Sequence, residues 1–109
     1  MKDDKLYLGH IRDAIEKIDN YIEGASYNQF AFNSMMVDAV VRELEIIGEA
    51  TSKLSSEFKC KHPDVPFRDI IDMRNVLIHD YAGVNKQIVW NTCQNDLPNL
   101  KSCITDILK

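Results

Sequence analysis

Phe67-Arg68-Asp69-Ile70-Ile71-Asp72-Met73-Arg74-Asn75-Val76-Leu77-Ile78-His79-Asp80-Tyr81 reads as a buried helix interrupted by polar side chains. At about 100° per residue, Phe67, Ile70, Ile71, Arg74, Leu77, Ile78 and Tyr81 fall on one side, so a guanidinium stands where a core residue is expected. Arginine does not shed its charge, and an unpaired buried cation costs several kcal/mol. Arg74 must therefore meet a carboxylate, line a wet cleft or face a partner chain.

Upstream, Asp64-Val65-Pro66 supplies an acidic cap and a proline for the first turn of this helix, which is expected to run from Phe67 to Tyr81. Ser56 to Val65, with Lys59, Lys61 and His62, reads as a polar loop with a solvated imidazole. Before it, Val37, Val40, Val41, Leu44, Ile47 and Leu54 keep core spacing in one long second helix from about Gln29 to Ser55. Gly48 there marks close helix packing rather than a break. On another side of that helix lie Asp38, Arg42, Glu45 and Glu49, at steps of four, three and four. They suit either intrahelical ion pairs of about 0.3–0.5 kcal/mol each or a carboxylate that holds Arg74, and spacing leaves both open. Leu8, Ile11, Ile15, Ile18 and Ile22 form a narrow apolar seam down a first helix of about six turns, stopped by Gly24.

Downstream, Gly83 provides a left-handed turn after the organising helix. Val89, Cys93, Leu97, Leu100, Ile104, Ile107 and Leu108 then mark a last buried stripe with Trp90 beside it. Pro98 removes the amide that the Gln94 carbonyl needs, which predicts a kink or two shorter helices joined at Asp96-Leu97-Pro98. No stretch alternates like a strand. The expectation is an all-α antiparallel bundle of four to five helices, in a single domain spanning residues 1–109.

Bulk numbers bound the function. With 109 residues, 45% hydrophobic, and a formal net charge of −4, the chain is neither disordered nor a strongly basic nucleic-acid binder, so any RNA face must be local. No signal-type core follows Met1 and no apolar run is long enough for a bilayer, so no membrane role and a cytoplasmic location are expected. Cys60, Cys93 and Cys103 are odd in number and widely spaced, which favours buried free thiols. No metal site or cofactor is expected; Cys60 and His62 alone make a poor ligand set.

Arg74, His79 and Tyr81 carry chemistry suited to a phosphodiester. An imidazole exchanges protons near neutral pH, a guanidinium clamps phosphate oxygens, and a phenol can orient either. Asn75 and Asp80 are supporting candidates beside them, with Asp80 better placed to cap or pair at the surface than to tune His79. A straight helix turns positions 74 and 79 about 140° apart. Convergence needs a loosened helix near His79 or a second copy of the chain across a two-fold axis.

The Arg-x4-His-x-Tyr pattern in Met73 to Tyr81, with Ile47-Gly48-Glu49-Ala50 upstream, resembles the signature of the HEPN superfamily, and of its HepT-like toxins in particular. The likeness extends to Ala39 through Ala50, to Val65-Pro66-Phe67-Arg68-Asp69-Ile70, and to Val89-Trp90-Asn91 through Asp96-Leu97-Pro98-Asn99-Leu100. Phe67 and Ala82 depart from the bulkier aromatics common in that family. The resemblance implies a HEPN-like homodimer and a ribonuclease toxin of a type VII toxin–antitoxin system, acting on RNA such as tRNA without a metal. It implies Arg74 and His79 as the nuclease residues. Tyr81 would be the tyrosine that an MntA-type nucleotidyltransferase antitoxin silences by transferring AMP from ATP. An RNA face would have to gather Arg42, Arg68, Arg74 and Lys86 at the dimer cleft. The competing expectation is a non-catalytic helical partner or regulatory subunit of a nucleotidyltransferase, docking through the same residues.

Overall fold

A computed structural model describes residues 2–79 and 83–109, apart from the side chains of residues 2 and 76–79. Asp80, Tyr81 and Ala82 lie outside the described residues. Four longer helices make the bundle: α1 (Lys2–Ile22), α3 (Ser34–Ser52), α5 (Phe67–His79) and α7 (Leu97–Ile107). Three short ones lie between them, α2 (Tyr27–Ala31), α4 (Ser56–Lys61) and α6 (Lys86–Asn91). No strand occurs among the described residues, and none of their helices is long and apolar enough to cross a membrane.

The apolar spacings produce the core directly. Leu8, Ile11, Ile15, Ile18 and Ile22 of α1 are all buried, and α1 packs along α3, whose Val37, Val40, Leu44 and Ile47 close the other side. Gly24, at φ +74°, ends the turn after α1 in a conformation that a Cβ disfavours. Val89, Cys93, Leu97, Leu100 and Ile104 complete the core from the last stretch. Trp90 sits at its edge, with ring centres 6.1 Å from Tyr27 and 5.2 Å from Phe30, and thereby ties α2 to α6.

Local side-chain chemistry corrects the expected boundaries. The single second helix is two helices, because the Asn33 side chain accepts from the Met36 amide and caps a fresh start at Ser34. Ser26 does the same for α2, in a reciprocal box with Gln29. The segment expected as a loop from Ser56 contains α4, capped by Ser55, and His62 at its end packs 4.6 Å from the Phe58 ring rather than standing in solvent. At the proline, Thr92–Asp96 widens into a π-helical turn in which the Leu97 amide reaches back to the Thr92 carbonyl. Pro98 then falls in the first turn of α7, where no amide is needed.

Two polar details complete the frame. Asp4 is buried; its carboxylate accepts from the Ser55 amide at 2.8 Å and the Ser55 hydroxyl at 2.7 Å, while that hydroxyl oxygen accepts from the Phe58 amide. Burial pushes the Asp4 carboxyl up, but these hydrogen bonds and Lys59 outweigh it and hold it below the usual carboxylate range. The first turn of α1 is thus pinned to the start of α4. Of the three thiols only Cys93 is fully buried, and burial together with Asp19 pushes it up to about 12. Cys103 is half-buried and Cys60 exposed, so the expectation of three buried thiols holds for one.

Candidate functional site

Where α5 crosses α3, Gly48 meets Arg74. A Cβ built on Gly48 would collide with the Cβ of Arg74 and stand 2.7 Å from its Cγ, so the arginine stem lies directly on the glycine backbone. The close approach that Gly48 permits sends the guanidinium past α3 to its polar side. There Nη2 of Arg74 pairs with Glu49 at 2.8 Å, and Lys53, one turn on, pairs with the same carboxylate at 3.5 Å. Of the two readings open for the acidic row on this helix, the one in which a carboxylate holds Arg74 is the observed one. It is Glu49 that does so.

The pairing leaves donors over. Nη1 of Arg74 makes a long 3.4 Å bond to Asn75, and Nε is shielded from solvent with no acceptor among the described residues. A shielded donor that lacks a partner costs about 1–3 kcal/mol. With its side chain 30% exposed, Arg74 lines a groove of about 370 Å³ instead of filling the core. Three helices build that groove. α3 contributes a stripe from Arg42 through Glu45 and Glu49 to Lys53, α5 contributes Arg74, and α1 contributes Tyr7 and His10.

The expected site residues divide accordingly. Arg74, Arg42 and Glu45 share the groove, and Asn75 touches it through Arg74. Asp38 is exposed on α3, one turn before Arg42, and does not line it. α5 is helical through His79, whose side chain is outside the described residues, as are Asp80 and Tyr81 altogether. The expected gathering of four cations does not occur within one chain. Arg68 is 89% exposed beside Asp72, and Lys86 donates to the Ala31 carbonyl near α2, so neither joins Arg42 and Arg74. Lys53, Tyr7 and His10 take their place, and sequence reasoning did not single them out. The signal available was the Tyr7-x2-His10 spacing beside the α1 seam, which puts both rings on one edge of that helix.

A larger hollow of about 870 Å³ lies between α5, the π-helical turn and α7, but Arg74 is not among its lining. Asp64, Asp69, Asp96 and Asp106 rim it, and among the described residues no lysine or arginine does. A polyanion would be repelled there. Nor do the described residues contain three or more His, Cys, Asp or Glu grouped to hold a metal ion.

The profile of a family described as ribonuclease HepT-like matches residues 11–107 of the chain. A protein of Caldanaerobacter subterraneus, provisionally named as an RNase, is 40% identical over all of this chain and 97% of its own length. A Thermococcus cleftensis protein provisionally named ribonuclease HepT is 40% identical over 89% of this chain and 88% of its own. In Methanocaldococcus jannaschii a protein named as a gamma-glutamylcyclotransferase and provisional RNase is 38% identical over 99% of this chain and 49% of its own length. No solved structure matches the chain at a significant level.

Proposed function

The chain belongs to the HepT-like ribonuclease family, and from that premise we propose that it is a metal-independent endoribonuclease, active as a homodimer, and the toxin of a type VII toxin–antitoxin pair. The observation that carries the reading is Arg74 itself, half-buried over Gly48, held by Glu49 at the edge of a groove, and with a donor that no described residue fills. A phosphate oxygen is an acceptor of the right charge for that guanidinium once it turns toward solvent.

Helical backbone through His79 keeps positions 74 and 79 about 140° apart, which favours convergence across a two-fold pair over convergence within one helix. In the proposed reaction one His79 takes the proton of a ribose 2′-hydroxyl, and its oxygen attacks the adjacent phosphorus. The bond to the 5′-oxygen breaks, the His79 of the other copy protonates that oxygen, and a 2′,3′-cyclic phosphate and a 5′-hydroxyl end result. Arg74 offsets the charge that builds on the phosphorane oxygens, the moment at which such a donor contributes most. No step calls for a metal.

Tyr81 is proposed as the off switch. Its phenol oxygen would attack the α-phosphorus of ATP on an MntA-type nucleotidyltransferase antitoxin, releasing pyrophosphate. The AMP so attached places bulk and negative charge where a substrate phosphate must sit. Purified protein incubated with tRNA in EDTA tests the nuclease: cleavage should be lost in His79→Ala and Arg74→Ala. Equal cleavage by the variants, or none by any protein, removes it. Tyr81→Phe should cut RNA yet escape labelling and silencing by the antitoxin with ATP. The separation of Arg68 and Lys86 from Arg42 and Arg74 favours a second reading, a non-catalytic helical partner of a nucleotidyltransferase. Stable binding of that enzyme by a chain that never cuts RNA would select it.

A further inference from the structure

The groove that holds Arg74 does not end at the guanidinium, and its far side has a chemistry of its own. Lys53 stands with its ammonium 5.8 Å from the centre of the Tyr7 ring while it pairs with Glu49. Tyr7 in turn meets His10 edge to face, ring centres 6.1 Å apart and planes at 80°. One face of the tyrosine is therefore taken by a cation, and its body is packed on the core. His10 is exposed, and its ring lines the groove with Tyr7 as its buttress. Along the floor, Arg42 and Lys53 lie at the two ends of the α3 stripe, roughly 16 Å apart at helical rise.

We propose that this α1–α3 face is a subsite for single-stranded RNA, in which a base stacks on His10 and flanking phosphates lie along Arg42 and Lys53. This rests on the ribonuclease reading and names how its substrate is held. Aromatic faces interleaved with cations are the sequence-tolerant way to bind unpaired nucleotides, because every base has a π-face and every link a charge. The charge balance permits it: Arg42, Lys53 and Arg74 face two carboxylates, and one of those, Glu49, is already engaged by two of the cations. The whole chain carries a net charge of −4, so the surface outside this cationic strip is acidic and confines the polyanion to it.

The probe is a fluorescein-labelled decamer RNA with 2′-O-methyl sugars, which lacks the attacking hydroxyl, titrated by anisotropy in EDTA with the full chain. His10→Ala should weaken binding about tenfold, His10→Phe should restore it, and Lys101→Ala, paired with Asp19 outside the groove, should leave it unchanged. Arg42→Ala should lower affinity for all sequences and reduce the salt dependence by about one ion. No binding by the unaltered chain, or equal binding by His10→Ala, overturns the subsite. Complete displacement by AMP at the same nucleotide concentration would give the groove to a mononucleotide and also overturn it. Cleavage of unmodified RNA separates the two claims. If RNA is cut while His10→Ala binds the decamer normally, only the subsite falls; if binding depends on His10 but nothing is cut, the subsite stands and the nuclease falls.

Discussion

Helix α3 packs against α1 on one side and α5 on the other, and the two contacts are built from opposite materials. Toward α1 the side chains are apolar and dry, with Ile11, Ile15 and Ile18 nearly inaccessible. Toward α5 a glycine admits an arginine whose guanidinium is half-wet and, among the described residues, incompletely paired. The first contact does what hydrophobic burial does best. The second gives up apolar area that another isoleucine at position 74 could have supplied, and in exchange places a cation on the rim of a groove.

The largest expected effect lies on the dry side. Ile15→Ala should lower the unfolding free energy by roughly 2–5 kcal/mol in urea titrations, because the seam has no room to collapse. A loss below about 1 kcal/mol would mean that the two contacts differ less than described. At the crossing itself, Gly48→Ala gains up to about 1 kcal/mol in helix propensity, yet the collision with the Arg74 stem should reverse the sign and leave the protein about 1–3 kcal/mol less stable. A stabilised Gly48→Ala variant would show that α5 does not approach so closely.

Asp4→Asn sharpens the contrast from outside both contacts. It should cost about 1.5 kcal/mol near neutral pH, by weakening the charge-assisted bonds to Ser55. Since the folded carboxyl titrates below its unfolded value, this contribution is fully present above about pH 4 and is lost as pH falls through the lowered folded value. The gap between variant and parent should accordingly narrow in paired denaturation curves as pH falls through that lowered value. The smallest effect on stability belongs to Glu49→Gln. With its side chain 44% exposed, the pair to Arg74 should be worth less than about 1 kcal/mol, while cleavage of RNA should drop by at least tenfold if the carboxylate aims the guanidinium. A large loss of stability would instead make the pair a structural strut.

Periodicity made the four main helices and the α1 seam readable, since burial follows directly from which residues recur every three or four positions. It also flagged Arg74 as out of place and Gly48 as a contact glycine. The break at Asn33 escaped because apolar spacing runs on through it; only a side chain bonding to the Met36 amide reveals the new start. Helix α4 was hidden in a lysine-rich segment whose polarity suggested a loop, and its cap depends on Ser55, which Asp4 orients from fifty-one residues away. His79 and Tyr81 rest on the motif, as the described side chains do not extend to them.

What the residues determined alone was a helical bundle with a cation on a face meant for the core, because period and charge are properties of a single strand of sequence. Which carboxylate answers that cation, and that Tyr7 and His10 of the first helix come to border the same groove, was decided only by packing. Those groups sit on three different helices, and no spacing along the chain encodes the angle at which α1 and α5 flank α3.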